Sequence, residues 1–458
     1  MHQLSPGVPE YFFDDLLIGY QRRLVRRWLP ARVFPEPVLQ PDRPWEGRIL
    51  ALYGSVLPNP GGGYRMYYSN FVPGGRSVVC MAASRDGFRW EKPDLGMVEW
   101  EGSRANNIII RTDGHLDSPS VIADPADAAY PFKMMAFQTL GASPMWAPDW
   151  GMYAWRSRDG LKWEMLPGVR LPTGDRNSFY KDSRTGRYVL LTRDKDQWER
   201  AGGRHIARSE SADFLTWSAP ELILNRDLDD EPDIEFYGMP VFLRNGWYFG
   251  LLEYWDGAHD RIEVHLALSR DGRSWRRPLP RRPFIAATHD WNRAWSSCAN
   301  NGPIVVNEQM VFHFGGRWVS HHFDSAQQWG VIGYASLALD RFCGLEAAGG
   351  GRLETVPLAW PGGDLAINAE TRQSFESHPA HCNGELAVEV LDADGKALPE
   401  WSGGQKAVFR GNTHCRAAVQ NQLVRWPGDR SLDACKGCPI RLRFDLQHAR
   451  LFTIEARG

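Results

Sequence analysis

Acidic side chains recur at corresponding places along this 458-residue chain. Two carboxyls that face one pocket can cleave an acetal, because a protonated carboxyl donates to the leaving oxygen while an ionised one acts as nucleophile or base. Crowding carboxylates in a partly dehydrated funnel keeps one of them protonated near neutral pH. The acids that could form such a set are Glu46, Asp117, Asp175, Asp233 and Glu235.

Each of these acids also has a structural interpretation. Glu46 fits a surface rim, Asp117 could cap the turn before a strand, and Gly174–Asp175–Arg176–Asn177 could be an ordinary turn. Asp233 and Glu235 alternate along a predicted strand and would face the same side. They belong to an acidic run with Asp227, Asp229, Asp230 and Glu231, some members of which must be solvated.

Polar and aromatic residues near these acids are candidate substrate contacts. Trp45, Trp291 and Trp295 could stack on sugar rings, although most of the 20 tryptophans must serve packing. Arg176 could bind a carboxylate, sulfate or phosphate group, or form a salt bridge with Asp175. The remaining candidates are hydrogen-bonding groups, namely His115, Asn177, Tyr237, His289, Asp290 and Asn301.

A repeated turn indicates which elements position these residues. The pattern Ser-x-Asp-(Gly)-x-x-Trp begins at Ser84, Ser157, Ser211 and Ser269, and a weaker fifth copy spans Ser336 to Phe342. Each copy follows an apolar strand, and a hairpin precedes each strand. Intervals of 73, 54, 58 and 67 residues suit a four-stranded blade and are too long for a helical repeat. The Asp of each copy is therefore expected to be structural.

The repeat predicts an all-β protein with a five-bladed β-propeller over residues 35–348. The first strand of each blade lines the channel, so the candidate acids should gather at one mouth. After Gly349–Gly350–Gly351, shorter alternating strands such as Glu385–Val390 predict a β-sandwich over 349–458. Residues 1–34 are expected to form an extension with a short amphipathic helix over Asp14–Leu29.

Composition excludes several classes of function. A net charge of −2 with mixed signs offers no basic field for nucleic acid, and no apolar run could cross a bilayer. The N-terminal residues lack the order of a secretory signal, so a cytoplasmic location is expected. Cys435 and Cys438 form a lone CxxC, for which His414 and Cys415 are poorly placed as further ligands, so neither metal nor cofactor is predicted. The oligomeric state stays open, a homo-oligomer included.

The chain resembles glycoside hydrolase family 32 and its relatives in families 43, 62 and 68. The resemblance covers nearly the whole chain and rests on the hairpin units, the Ser-Arg-Asp-Gly-x-x-Trp turns, the stretch Ile332–Phe342 and the trailing sandwich. It implies that Asp117, in Leu116–Asp117–Ser118–Pro119, matches an aspartate that stabilises the transition state, and that Asp175 lies near the family's acid. The family's Asn-Asp-Pro-Asn is absent, with Tyr53–Pro60 in its place, and its Glu-Cys-Pro is missing.

The residues and the resemblance together predict a glycoside hydrolase or transglycosylase. Its expected partner is an oligosaccharide or glycoside with a terminal, furanosidic sugar such as fructose or arabinose. Glu235 or Asp175 would be the acid, with Asp117 and either Glu46 or Asp233 completing the set. The alternatives are a carbohydrate-binding propeller without turnover, a structural propeller, and a phosphorylase, which would show two or more Arg or Lys side chains beside the acid.

Overall fold

The protein is described here by a computed structural model that covers residues 1–72, 76–141, 148–193, 203–319, 329–371, 384–410 and 422–458. These residues divide into two units. The propeller unit comprises Ala31–Val306 and Val311–Ser336, and the sandwich unit comprises Met1–Pro30, Asn307–Met310 and Leu337–Gly458. Within the ranges above, helical structure is limited to short 3-10 turns at Asp290–Asn292, Gly403–Gln405 and Leu432–Cys435. In the same ranges no helix is long and apolar enough to span a membrane.

The first thirty residues form strands, so the helix predicted over Asp14–Leu29 is wrong. Arg26 and Arg27, near the end of that stretch, lie on a strand and bind Asp15 and Glu346. Pairing with distant strands overrides the local amphipathic pattern. The four strands are β1 (His2–Gln3), β2 (Glu10–Tyr11), β3 (Ile18–Arg22) and β4 (Val25–Trp28).

The propeller unit is built from successive antiparallel sheets. Its first strands are β5 (Arg32–Val33), β6 (Ile49–Ala51), β7 (Val56–Pro58), β8 (Tyr64–Phe71), β9 (Ser77–Ser84) and β10 (Ile108–Ile110). The second group is β11 (Leu116–Ala123), β12 (Phe132–Gln138), β13 (Gly151–Ser157) and β14 (Trp163–Leu171). The third group is β15 (Ser178–Lys181), β16 (Tyr188–Thr192), β17 (Ile206–Ser211) and β18 (Glu221–Leu224).

Two further strand groups complete this unit. The fourth is β19 (Ile234–Gly238), β20 (Val241–Arg244), β21 (Trp247–Asp256) and β22 (Arg261–Ser269). The last is β23 (Trp295–Cys298), β24 (Ile304–Val306), β25 (Gln309–Arg317) and β26 (Gly330–Ala338).

The N-terminal strand β5 closes this series. Val33 pairs with Ala335 of β26, and Gly330 of β26 meets Ile49 of β6, so the first and last groups share one ten-stranded sheet. Repeated four-stranded antiparallel sheets closed in this way form a β-propeller.

The repeated Ser-x-Asp turn is structural, as predicted. The carboxylate of Asp86 accepts from the backbone N–H groups of Phe88 and Arg89, both at 2.8 Å, and these bonds lower the pKa of Asp86. The indole of Trp90 donates to the carbonyl of Gly87 at 3.3 Å, which closes the turn. Equivalent carboxylate bonds form at Asp159, Asp213 and Asp271.

The sandwich unit has one 11-stranded network around its own core. Its long last strand pairs with several others, and its residues Leu442, Phe444 and Leu446 are buried while the intervening residues are partly exposed. That alternation is typical of a strand with one buried face. Its later strands are β27 (Cys343–Thr355), β28 (Leu358–Ala359), β29 (Asp364–Thr371), β30 (Glu385–Asp392), β31 (Ala407–Arg410), β32 (Gln422–Leu423) and β33 (Pro439–Arg457).

Candidate active site in the propeller unit

Two buried tyrosines link the inner strands of the propeller unit. Tyr53 follows β6, and its hydroxyl accepts from Arg317 Nη2 at 3.1 Å. Tyr237 lies on β19 and packs edge-on against Trp295, with the ring centroids 4.9 Å apart. Burial raises the pKa of Tyr53 well above its ordinary value, and Tyr237 and Asp117 act in the same direction. Tyr237 and Trp295, both predicted to contact the substrate, therefore pack together beside Tyr53, which was not among the predicted residues.

Asp117 lies at the start of β11, at an irregularity in the strand. Ser118 adopts a positive φ of 51°, and the pairing of β11 with β12 shifts register between Asp117 and Ser120. The carboxylate accepts from Ser69 Oγ at 2.8 Å and from the backbone N–H of Ser118 at 2.6 Å. His115 Nε2 lies 3.9 Å from its other oxygen. The predicted residue Asp117 therefore lies close enough to Tyr53 to raise its pKa, and the predicted residue His115 lies beside Asp117.

Two further predicted acids are each held by an arginine. Asp175 contacts Arg193, and Glu235 accepts from Arg204 Nη1 at 2.6 Å. Both guanidinium groups lie over the ring of Tyr237, at 4.9 Å for Arg193 and 5.7 Å for Arg204. Burial lowers the pKa of Arg193 to about 10, so it stays cationic at neutral pH. The two carboxylates are 23% and 25% exposed, so solvent reaches both.

Arg176 is a buried cross-link and not a substrate contact. Its Nε and Nη2 donate to the two oxygens of Glu253 at 2.9 and 2.5 Å, and Nη1 donates to Asn300 Oδ1 at 2.8 Å. Burial opposes its charge, but the Glu253 carboxylate raises the pKa of Arg176 above its ordinary value. Asn177 is also buried and donates to the carbonyl of Ser118 at 2.9 Å. Arg176 and Asn177 were predicted to contact the substrate. The structure corrects both predictions, because these side chains connect neighbouring strand groups.

Glu46 and its neighbour Trp45 are structural as well. The side chain of Glu46 is fully buried and accepts from Lys92 Nζ and from the backbone N–H of Asp42, at 2.7 and 2.9 Å. The Trp45 indole donates to Asn107 Oδ1 at 3.0 Å within the core of the first group. A carboxylate enclosed by these donors has no free face for a substrate, so the nucleophile role predicted for Glu46 is wrong.

Among the other predicted candidates of the last group, Asn301 and Trp291 make structural contacts. Asn301 accepts from the N–H of Val56 at 2.6 Å and donates to its carbonyl at 2.5 Å, which clamps β7. Trp291 stacks on Phe314 with centroids 4.9 Å apart. His289 precedes the 3-10 turn Asp290–Asn292, and Asp290 is exposed.

The acidic residues Asp227 to Glu235 do not all lie at the candidate site. Asp233 precedes the strand and is exposed, so it does not share a strand face with Glu235 as predicted. Asp227 and Asp230 bind Arg277, with oxygen–nitrogen distances of 2.8 and 2.6 Å, and Asp230 also accepts from the hydroxyl of Tyr254 at 3.2 Å. Glu235 is the member of this run that is connected to Tyr237, through Arg204, among the described residues.

A shallow depression beside Tyr53 is lined by Leu52, Tyr53, Trp295, Ser297 and Arg317, and it is too small to hold a water molecule. In the described part of the chain no group of three or more His, Cys, Asp or Glu side chains is placed to hold a metal ion. Cys435 and Cys438 are free thiols. His414 and Cys415, which the sequence analysis considered as further metal ligands, lie outside the described ranges.

Sequence reasoning missed the arginines and Tyr53. The candidates were chosen near the first strand of each group, because that strand lines the channel of a propeller. Arg193 instead follows β16, and Arg317 is the last residue of β25. Tyr53 stands in the stretch Tyr53–Pro60, which the family resemblance had already marked as the place of a missing motif. That stretch was the available signal.

No family model matches the chain, and no curated protein matches it by sequence. Solved structures do align with it. An N-acetylgalactosamine deacetylase from F. plautii, solved with blood group B trisaccharide, has a TM-score of 0.49 and 13% identity, over 70% of this chain and 96% of its own. A glycosyl hydrolase from Bacteroides ovatus has a TM-score of 0.48 and 14% identity, over 69% and 95%. The family 32 β-fructofuranosidase of Bombyx mori has a TM-score of 0.44 and 10% identity, over 92% and 94%. At these values the activity has to be argued from the chain's own residues.

Proposed function

We propose that this chain is a glycosidase whose five strand groups are the blades of one propeller. It would hydrolyse or transfer a terminal sugar, furanosidic as in fructose or arabinose, at the cluster around Tyr53 and Tyr237. The supporting observation is that Asp117, Asp175 and Glu235 come from three consecutive strand groups and are linked through these two tyrosines. Glycoside cleavage requires a set of carboxyls of this kind.

The surroundings of the three carboxylates suggest how the roles divide. Asp117 accepts from Ser69 and Ser118, and in the described residues no Arg or Lys lies within ion-pair distance of it. An ionised Asp117 would stabilise the positive charge that develops on the sugar, or attack it. Glu235 or Asp175 would exchange protons with the leaving group or with water.

The test is a screen of the full chain against aryl furanosides, aryl pyranosides and natural oligosaccharides. Once a substrate is found, Asp117→Asn and Glu235→Gln should each lower kcat by about 10²- to 10⁴-fold. Glu164→Gln is the matched control, because Glu164 is an exposed acid paired with Arg156 on the strand surface. All variants are compared at equal folded fraction. Undiminished turnover in both site variants would refute the assignment.

A phosphorylase is the second candidate, and the arginines favour it. Arg193 and Arg204 stand beside the two acids Asp175 and Glu235, which is the arrangement expected for a site that admits phosphate. Turnover that depends on inorganic phosphate and yields a sugar phosphate would select this candidate. Turnover that is independent of phosphate would select hydrolysis or transfer. Saturable sugar binding with no turnover of any glycoside would leave the third candidate, a carbohydrate-binding propeller.

A further inference from the structure

We propose that Cys435 and Cys438 form a reversible disulfide across the turn that precedes β33, the long last strand of the sandwich unit. The pair is the CxxC motif of the sequence, and it takes no part in the proposed glycosidase reaction. The chemistry is the oxidation of two neighbouring thiols by a small-molecule disulfide such as oxidised glutathione.

The two cysteines are the first and last residues of a tight turn. The backbone N–H of Cys438 donates to the carbonyl of Cys435 at 2.9 Å. Lys436 has φ −52° and ψ 127°, and Gly437 has a φ of 77°, as in a type II β-turn. The Cα atoms at the two ends of a β-turn lie within about 7 Å, and disulfides join Cα atoms roughly 4.4 to 6.8 Å apart. The backbone therefore spans a distance that a disulfide can bridge.

Neighbouring segments hold this turn in place. The backbone N–H of Gly437 donates to the carbonyl of Trp360 at 2.9 Å, and the N–H of Trp360 donates to the carbonyl of Cys438 at 3.3 Å. In the preceding 3-10 turn, Asp433 accepts from the N–H of Gly363 at 2.8 Å. Because the turn keeps the two thiols near each other, attack of one on the other is intramolecular and has a high effective concentration.

The two thiols differ in their surroundings, and this difference sets the order of reaction. Cys438 is exposed, whereas Cys435 is 5% exposed and packs in the core of the sandwich unit. Burial, with a smaller contribution from Cys438, raises the pKa of Cys435 to about 11. The thiolate is the nucleophile in disulfide exchange, so the exposed Cys438 reacts first with a disulfide from solution.

The oxidation has two exchange steps. The Cys438 thiolate attacks one sulfur of oxidised glutathione, which forms a mixed disulfide and releases one glutathione thiolate. Cys435 then loses its proton, and its thiolate attacks the Cys438 sulfur, which closes the ring and releases the second glutathione thiolate. The two cysteines lose two electrons and two protons in all, and oxidised glutathione takes them up to become two molecules of glutathione.

A structural zinc site is the other common use of a CxxC pair, and it needs four ligands. In the described ranges no group of three or more His, Cys, Asp or Glu side chains is placed to hold a metal ion. The other cysteines of those ranges, Cys80, Cys298 and Cys343, are buried. Among the described residues the pair thus offers two ligands, which favours a disulfide over zinc.

The disulfide would fix the start of the central strand of the sandwich unit. β33 begins at Pro439, directly after Cys438, and it pairs with β27, β28, β29 and β30. A closed ring over Lys436 and Gly437 restricts the unfolded chain more than the folded one, so oxidation stabilises this unit. The sandwich unit would then be more stable under oxidising than under reducing conditions.

The test is peptide mapping of the full chain after equilibration with reduced and oxidised glutathione, followed by acid quenching and alkylation of free thiols. Trypsin cleavage after Lys436 places the two cysteines in the neighbouring peptides Ser431–Lys436 and Gly437–Arg441. We expect these peptides to be joined by a bond that dithiothreitol breaks. An effective concentration of about 1 mM, against ~0.1 mM free glutathione, predicts that the ring exceeds the mixed disulfide by about tenfold or more.

Two variants separate the roles of the thiols. Cys435→Ser retains the exposed Cys438, so it should stop at the mixed disulfide with glutathione. Cys438→Ser retains the buried thiol and every other cysteine, and Cys435 should then be modified at least about tenfold more slowly than Cys438 is in wild type. In urea unfolding, the sandwich transition of wild type should have a higher midpoint when oxidised, whereas Cys438→Ser should show the same midpoint in both redox states.

The outcomes that would overturn the proposal are distinct. They are the absence of the linked peptides, and a reaction that stops at the mixed disulfide of Cys438 in wild type. Linked peptides found only in a disulfide-bonded dimer on a non-reducing gel would also overturn it, because the bond would then join two chains. If Cys435→Ser does not fold, the wild-type peptide map and Cys438→Ser decide. An unchanged urea midpoint on oxidation would refute the stabilising role. Glycosidase activity enters none of these measurements, so this proposal and the proposed function stand or fail separately.

Discussion

The buried pair of Arg176 and Glu253 allows a quantitative test of how the propeller unit is held together. Glu253 on β21 is fully buried, and it accepts from two nitrogens of Arg176, from Ser297 Oγ at 2.5 Å and from the N–H of Cys298 at 3.2 Å. Glu253→Gln keeps the shape of the side chain but removes its charge. Arg176 would then be an uncompensated buried cation, so we expect a loss of about 3 to 5 kcal/mol in the free energy of unfolding.

The assay is urea unfolding followed by tryptophan fluorescence, fitted with a separate transition for each unit because two units need not unfold together. Glu164→Gln, which breaks a pair whose partners are 37% and 58% exposed, should cost less than about 1 kcal/mol. The double variant Arg176→Met/Glu253→Leu removes both charges and should recover much of the loss. A Glu253→Gln protein within about 1 kcal/mol of wild type would refute the view that Arg176 is a structural cross-link.

Two further predictions concern buried titratable side chains of the propeller unit. Lys92→Met leaves Glu46 buried without its cation, so it should lower stability by about 3 kcal/mol or more in the same urea assay, and wild-type stability would contradict the structural assignment of Glu46. Burial lowers the pKa of His313 from 6.5 to about 4, so the unfolded chain binds a proton that the folded chain does not between these values. Stability should therefore fall as the pH drops from about 6.5 toward 4 and stay level above that range. His313→Gln, which can still donate to the Gly87 carbonyl, should flatten part of that slope in thermal melts recorded across the range, and an identical slope would disprove the assignment.

The repeated turn made the propeller predictable because its physics is local. The bonds that hold Asp86 come from residues two and three positions away, so they can be anticipated from seven consecutive letters. The N-terminal strands could not be anticipated in this way. Arg26 and Arg27 sit at spacings that suit a helix, and only the distant partner β27 decides that they lie on a strand.

The residues of the candidate site were likewise predictable only where local sequence decides their position. Three of the five acids that the sequence suggested, Asp117, Asp175 and Glu235, are linked through Tyr53 and Tyr237, and their catalytic role stays a prediction. The blade phase could not show which polar residues are already occupied, because the partner of Arg176 is 77 residues away and Lys92 is 46 residues from Glu46. Long-range pairing of this kind leaves no periodic trace in the sequence.

The sandwich unit draws its strands from both ends of the chain, and this has a consequence for synthesis. Glu10 of β2 pairs with Ile454 of β33, and β3 and β4 pair with β27. During translation the first thirty residues have no partner strands until β27 and β33 have left the ribosome, after the whole propeller unit. Their unpaired edges are then exposed to other chains, so this unit should depend on chaperones more than the propeller does. Fragments that end before β27, which begins at Cys343, should yield a propeller with unpaired N-terminal strands.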